Sequence, residues 1–180
     1  MLGKAQDGMQ CTPYQRIRRL HGHNNAALAW ESGAIIDYIL RVYDTFYKLH
    51  LNPNASEQDK VDFDKWVYFL VSTLAPMTGQ CNWFRHYHAT KNEDALKRYQ
   101  EQAYRAYSVL EGQLKKSGGD TILGGRFSAV DAHFYPWVDE WEFAGLSLEE
   151  YPLVKAWYEK TKKMEWVQKA YAKVRSGEKA

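Results

Sequence analysis

The sequence predicts a mainly all-α domain, with about six helices after a short extended segment. Two observations support this fold class. Apolar residues recur at three- and four-residue steps in several segments, which is the pattern of helices that bury one face. In addition, Ser56, Asn92 and Ser128 each precede such a segment and have acidic residues in the turn that follows, which is typical of capped helix starts.

Length, charge and cysteine content narrow the class of protein. The 180 residues suit one domain, or one and a fraction, and can bury a real core. The 24 basic and 22 acidic residues are spread along the chain, so the net charge of +2 predicts no nucleic-acid partner. There is no apolar signal core and no run near ~18 apolar residues, so we expect neither export nor a membrane span. Two distant cysteines predict no disulfide framework and fit the reducing cytoplasm.

The most informative segment is a helix predicted over residues 31–43. Glu31 and Ser32 stand at its start, where unpaired backbone N–H groups and the positive end of the helix dipole favour a bound carboxylate. Ser32 adds a hydroxyl donor, and Glu31 adds an acceptor for an ammonium group. Together they would suit an amino-acid end, although Ser32 could instead merely cap the helix. The apolar stripe of this helix consists of Ile35, Ile36, Ile39, Leu40 and Tyr43.

The segments on either side of this helix are less regular. Residues 1–30 show no sustained period, but residues 16–20 fit a short strand with Ile17 on one face and arginines on the other. Those arginines either meet an anion or form a solvated basic edge. Residues 44–55 contain Asn52, Pro53 and Asn54 and are predicted to be a connector.

A second helix is predicted to begin at Ser56 and to kink or break at Pro76, since proline removes a backbone donor. Residues 77–88 are crowded with aromatic and hydrogen-bonding side chains. They form either a substrate wall or ordinary packing. The buried face before the proline is expected to comprise Val61, Trp66, Val67, Phe69, Leu70 and Leu74.

The second half of the chain has the clearest helical signals. A long helix is predicted from Asn92 to the stop signal at Gly118. Ser128 and Asp131 predict a capping box for the next helix. Two further helices are expected over residues 151–171.

Common catalytic motifs are mostly absent from the sequence. Neither a glycine-rich phosphate loop nor a nucleophile-elbow serine is present. His86 and His88 lack a partner at metal-ligand spacing, so no metal is expected. Cys81 is either a nucleophile or, more simply, a packed thiol.

Four motifs in combination resemble glutathione transferases. The run of residues 30–39 resembles the family's Glu-Ser motif, in which that pair holds the γ-glutamyl end of glutathione. Gly79-Gln80, followed by Trp83-Phe84 and Tyr87-His88, is similar to the helix-four region of the fungal branch related to the yeast nitrogen-regulatory prion protein. Residues 127–132 resemble the family's capping box and hydrophobic staple, and residues 152–158 resemble its late helix. The resemblance extends over residues 12–175.

The resemblance implies a domain organisation. Residues 56–180 would form the C-terminal-type helical bundle of the family, residues 49–55 a linker, and residues 1–48 a truncated remnant of its thioredoxin-like α/β domain. The family's usual catalytic Ser, Tyr or Cys has no counterpart here, so the catalytic residue stays unknown. Residues 12–20 resemble the family's segment that has a cis-proline after its isoleucine, and Arg18 stands in place of that proline. Because a non-proline cis bond costs about 2.5–4 kcal/mol, the loop that normally offers its backbone to the glutathione cysteine should differ here.

The resemblance also implies a site and a function. Glutathione, as cosubstrate or cofactor, would be bound by Glu31 and Ser32 together with Arg16 and Ile17. A hydrophobic, conjugated small molecule would undergo glutathione conjugation or glutathione-dependent cis-trans isomerisation, as in fungal secondary metabolism. The alternative is a non-catalytic binding or scaffold module on the same fold. Family members are usually dimers, so a homodimer is expected. The substrate pocket would be lined by Met77, Gln80, Trp83, Phe84, Tyr87, Trp137 and Trp141.

Overall fold

The computed structural model describes residues 19–22 and 25–176. Two short antiparallel strands, β1 (Arg19–His21) and β2 (Leu28–Trp30), pair with Leu20 opposite Ala29. The strand predicted over residues 16–20 therefore meets the structure only at its last two residues, and residues 16–18 lie outside the described part. Strand β2 was not predicted, because three residues are too short to show an alternating pattern.

Seven α-helices follow in the described part of the chain, which confirms the mainly all-α prediction. They are α1 (Ser32–Tyr43), α2 (Glu57–Phe69), α3 (Ala75–Asn82), α4 (Glu93–Ser117), α5 (Ala129–Asp139), α6 (Pro152–Lys162) and α7 (Glu165–Ser176). None of these described helices combines the length and apolar character needed to cross a membrane. Together they enclose one buried cluster, whose largest fully buried members include Leu70, Leu74, Tyr107, Leu110, Leu114, Ile122, Val130, Phe134, Val154 and Trp157.

The chain stays helical from α2 through α3, so of the kink or break predicted at Pro76 the break does not occur. Leu70–Leu74 form a π-helical segment, in which the Ala75 N–H donates to the Leu70 carbonyl five residues earlier. Pro76 then lies in the first turn of α3, and Leu74 and Ala75 both keep right-handed helical dihedrals. We infer that the wider turn absorbs the proline without ending the helix, since π-helical turns inside α-helices are a known device. A second π-helical segment, Trp83–Tyr87, closes this run.

The local capping signals are confirmed. Ser56 and Asp59 form a capping box at α2, and the Asn92 side chain accepts the Ala95 N–H at the start of α4. Helix α4 ends at Gly118, which has a φ of 92°. One expectation about the buried face of α2 is wrong: Val61 is 56% exposed, because α2 turns this side of its surface away from the core.

Asp131 stabilises the second half of the bundle. Its carboxylate accepts the Ser128 backbone N–H and hydroxyl, completing the predicted capping box of α5. It also accepts the Ile122 N–H at 2.8 Å and the Trp157 indole N–H at 3.0 Å. One buried carboxylate thus joins the loop before α5 to α6, and all four of these donors are satisfied by it.

Glu111 joins α4 to the start of α6. Its carboxylate accepts the backbone N–H groups of Leu153 at 3.1 Å and Val154 at 2.9 Å. No side chain of α6 or its N-cap residue caps this helix. Glu111, on the neighbouring helix α4, therefore caps the N-terminus of α6.

Candidate functional site

The start of α1 has an unusual backbone. Glu31 precedes the helix with φ 69° and ψ 129°, a region that a non-glycine residue rarely adopts. Such conformations cost about 1–3 kcal/mol and are concentrated at functional sites. The Glu31 side chain does not cap the helix, and both Glu31 and Ser32 are exposed.

Ser32 is the first residue of α1 rather than its cap, so the simple capping interpretation of this serine is not supported. The first intrahelical bond runs from the Ile35 N–H to the Glu31 carbonyl at 2.9 Å. The N–H groups of residues 32–34 therefore have no acceptor within the helix. A carboxylate, a hydroxyl and unpaired amide donors thus occupy the positive end of the helix dipole.

Two contacts hold this helix start in place. Gly33 faces α2 and the first π-helical segment: a Cβ at this position would lie 3.4 Å from the Val67 Cγ1 atom and 3.8 Å from the Val71 Cγ1 atom. On the other side, the Tyr38 hydroxyl donates to the Asn25 side chain at 2.8 Å, which ties α1 to the β-hairpin. The position of Glu31 is therefore set by packing on both sides.

A cavity of about 460 Å³ opens beside Glu31 and Ser32. Three of the residues predicted for a substrate pocket, Gln80, Trp83 and Trp137, line it as well. Residues separated by more than 100 positions thus meet at one concave surface. The remaining lining residues are Val71, Ala75, Pro76 and Gly79.

The other residues predicted for the pocket lie elsewhere. Phe84 stacks on Tyr99 of α4, with ring centroids 5.5 Å apart. Tyr87 is 49% exposed, and its ring centroid lies 6.3 Å from that of Phe143. Met77 and Trp141 are partly buried against the main core. Arg16 and Ile17, predicted for glutathione binding, lie outside the described residues.

Small side chains on one helical face create the cavity, and most of these residues were not predicted from the sequence to line it. Val71, Ala75 and Gly79 lead to Trp83 at four-residue steps, which places them on one side of the continuous helix. At Gly79 a Cβ would lie 3.9 Å from the Trp137 ring, so the absence of a side chain leaves room beside that ring. This four-residue spacing was the signal available in the sequence.

The cavity is mainly apolar, with its polar groups concentrated at the start of α1. Trp83 and Trp137 supply broad aromatic surface, and Gln80 adds an amide on the side of α3. The end of α3 is held against α5 by a hydrogen bond from the Asn82 amide to Glu140 at 3.0 Å. This arrangement suits a ligand with an amino-acid end and an apolar, flat portion.

Cys81 is not a nucleophile in this structure. It is fully buried, and burial raises the pKa of its thiol to about 11. The thiol is therefore protonated near neutral pH and acts as a packed apolar group. Within residues 19–22 and 25–176, no group of three or more His, Cys, Asp or Glu side chains is placed to hold a metal ion.

The chain is similar in sequence to glutathione S-transferases and to their fungal relatives. A family model described as the glutathione S-transferase C-terminal domain matches residues 93–160. The chain is 30% identical to the glutathione S-transferase-like protein tpcF of Aspergillus fumigatus, over 95% of this chain and 80% of that protein. It is 28% identical to the transcriptional regulator URE2 of Saccharomyces cerevisiae, over 86% of this chain but only 52% of that protein.

A solved structure is similar to the chain in both fold and sequence. The glutathione transferase URE2P6 from Phanerochaete chrysosporium, crystallised with oxidized glutathione, superposes with a TM-score of 0.75 at 30% identity. The match covers 83% of this chain and 68% of that one. The likeness therefore spans most of the described helices and not only the segment matched by the family model.

Proposed function

The chain belongs to the glutathione S-transferase family, and on that premise we propose that it uses glutathione to act on a hydrophobic, conjugated small molecule. The observation that supports this function best is the shared cavity. Glu31 and Ser32 lie at one end of it, and Trp83 and Trp137 form its aromatic surface. The reaction is either glutathione conjugation or glutathione-dependent cis-trans isomerisation of a double bond.

Glu31 and Ser32 would bind the γ-glutamyl end of glutathione. The Ser32 hydroxyl and the unpaired N–H groups at the start of α1 donate to its α-carboxylate, and the helix dipole favours that negative charge. The Glu31 carboxylate accepts from the α-ammonium group, a charge-assisted hydrogen bond. This donor and acceptor set fits an amino-acid end, because each charged group of the ligand meets an opposite partner.

The aromatic part of the cavity would hold the second substrate. The whole cavity has a volume of about 460 Å³, which lies within the usual range of small-molecule sites. Trp83 and Trp137 offer flat surfaces that favour a flat, conjugated partner. Glutathione supplies a thiolate nucleophile when bound; conjugation consumes it, whereas isomerisation returns it unchanged.

A second candidate is a glutathione-binding module without catalysis. Among the described residues that line the cavity, Ser32 carries the only hydroxyl group and none is a lysine or arginine. A glutathione thiol with an ordinary pKa near ~8.5 would then be mostly protonated at pH 7. The similarity to a transcriptional regulator is compatible with this alternative.

We also propose that the chain forms a homodimer. Large apolar side chains on α1, on α2 and on the segment between them are exposed, and Phe46 is 82% exposed. Solvent-facing apolar surface of this kind is often covered by association. Sedimentation at micromolar concentration should show a dimer, and a monomer would contradict this proposal.

Calorimetry and product analysis with the purified chain test the proposed function. We expect glutathione to bind, and Ser32→Ala to weaken the binding about tenfold, because a hydrogen bond to a charged group is lost. Ser72→Ala is the matched control: this exposed serine bonds the Tyr68 carbonyl and does not line the cavity. Incubation with conjugated alkenes should yield adducts or isomerised alkene.

The outcomes separate the alternatives. Loss of glutathione with adduct formation supports conjugation, and isomerised alkene at constant glutathione supports isomerisation. Glutathione binding without any product supports the binding module. No glutathione binding and no product would overturn both candidates.

A further inference from the structure

A second cavity lies at the other end of α1. Its volume is about 520 Å³, and it is enclosed by the C-terminal half of α1, the segment that connects α1 to α2, and the first two turns of α2. Leu40 and Arg41 line it from α1, and Phe63 and Asp64 line it from α2. The first α1 residue that lines it, Asp37, comes six residues after Glu31, about 9 Å along the helix axis, and the two cavities have no lining residue in common, so this cavity is separate from the proposed glutathione site.

Apolar and aromatic side chains form the floor and one wall of this cavity. Leu40 is 4% exposed and Phe63 is 5% exposed, so both are fixed in the core. The His50 ring packs edge-on against Phe63, with ring centroids 5.2 Å apart. Tyr47 lines the opening and has a φ of 51°, which is uncommon for a bulky residue.

The connecting segment is firmly held. The Asp44 carboxylate accepts three backbone N–H groups, those of residues 48–50, each at 2.8 Å. The Leu49 carbonyl accepts the Ala129 N–H of α5 at 2.9 Å, and the His50 carbonyl accepts from the Arg126 guanidinium at 2.6 Å. The cavity is therefore preformed, and a ligand would not have to order this loop on binding.

Among the described residues, the charged groups that line the cavity leave one carboxylate without a partner. Asp37 pairs with Arg41 at 3.3 Å, Lys60 pairs with Glu57 on the first turn of α2, and Asp44 is engaged by backbone donors. Asp64 has no hydrogen bond or ion pair with any other described residue. Asp64 is itself exposed and lines the cavity together with the rings of Tyr47 and Phe63, so the lining favours a positive ligand group over a negative one.

We propose that this cavity binds an organic cation with an apolar or aromatic body. The ammonium group would pair with Asp64 and contact the Tyr47 ring, while the apolar body would cover Leu40 and Phe63. A carboxylate and aromatic rings around an apolar floor are the chemistry that recognises quaternary and protonated amines. The site goes beyond the proposed function, because it shares no lining residue with the cavity at Glu31.

Benzyltrimethylammonium is the probe for this proposal, and isothermal titration calorimetry is the measurement. We expect saturable one-to-one binding, weakened about two- to fivefold by Asp64→Asn, because Asp64 is exposed and water screens the ion pair that is lost. Asp62→Asn is the matched control: Asp62 is on the same helix but is paired with Lys65 and does not line the cavity. Sodium benzoate should not bind at this site.

Three results would overturn the proposal. They are no binding by the wild-type chain at millimolar probe, equal weakening by Asp62→Asn and Asp64→Asn, and competition by benzoate at equal affinity. Trp137→Ala serves as a second variant because Trp137 lines the cavity at Glu31 and does not line this one. Probe binding that is lost in this variant but kept in Asp64→Asn would place the cation at the proposed glutathione site instead, and would equally refute the proposal.

Discussion

Replacing Glu31 by glycine should stabilise the fold while weakening glutathione binding. The residue has φ 69° and ψ 129°, which costs about 1–3 kcal/mol for a side chain with a Cβ atom. Glycine removes that strain, but it loses about 0.5–1 kcal/mol more conformational entropy on folding. The Glu31 side chain is exposed and caps no helix, so its removal costs little. The unfolding free energy should therefore rise by up to about 2.5 kcal/mol.

Glu31→Gly should also lower the affinity for glutathione. A hydrogen bond between a carboxylate and a ligand ammonium group is worth about 1.5–3 kcal/mol, which corresponds to about 10- to 100-fold in affinity for glutathione. Urea unfolding measures the stability, and calorimetry measures the affinity. Glu31→Ala provides the comparison, because it removes the carboxylate and keeps the strain: affinity should fall equally, without the gain in stability.

Ala26→Gly is the matched backbone control for Glu31→Gly. Ala26 also has a positive φ, of 53°, but it lies in the hairpin loop and does not line the cavity. This substitution should stabilise the chain without changing glutathione affinity. The reasoning fails if Glu31→Gly lowers the unfolding free energy, or if both Glu31 variants bind glutathione as tightly as the wild type.

Three further predictions concern the helical bundle. Asp131→Ala should lower the unfolding free energy by about 3–5 kcal/mol in urea titrations, because the buried donors that it satisfies lose their acceptor. Glu111→Ala should cost about 1–2 kcal/mol by the same measurement, since the start of α6 loses its cap. Burial lowers the pKa of His133 from 6.5 to about 4. Between pH 6.5 and pH 4, His133 is therefore protonated in the unfolded chain but neutral in the folded chain. The unfolding free energy should fall by about 2–3 kcal/mol over this pH range.

Each of these predictions has its own control. Ser128→Ala removes only one of the donors to Asp131 and should cost about 1 kcal/mol. Glu101→Ala, at an exposed position of α4, should change stability by less than about 0.5 kcal/mol. His133→Leu should flatten the pH dependence between pH 6.5 and pH 4, whereas exposed His21→Asn should keep it. Equal pH slopes in both histidine variants would refute the role of His133.

Features that depend on neighbouring residues could be predicted from the sequence. The cap at Asn92, the stop at Gly118 and the boxes at Ser56 and Ser128 each involve groups a few residues apart, so their chemistry is visible in a short window. The start of α1 at Glu31 was anticipated for the same reason, within one residue.

Features that depend on contacts between distant segments could not be predicted. Which aromatic residues would face the cavity was decided by the packing of α3 on α4 and α5, and Phe84 turned to Tyr99 while Trp83 did not. The positive φ of Glu31 occurs where α1 contacts the hairpin and α2, and these contacts come from outside the local sequence, so no local pattern records it. Of the kink or break predicted at Pro76, the break is absent because the residues before the proline, Leu70–Leu74, adopt a wider helical turn.

The π-helical segment Leu70–Leu74 also makes the orientation of the cavity wall depend on the number of residues in that segment. A π-helical turn contains one residue more than an α-helical turn, and one residue rotates everything after it by about 100° around the helix axis. Deleting one residue of Leu70–Leu74 would therefore carry Gly79, Gln80 and Trp83 away from Ser32 without altering any of their side chains. A single-codon deletion or insertion at this position would redirect an entire binding surface, so length variation here gives this fold a route to new ligands that point substitutions do not offer.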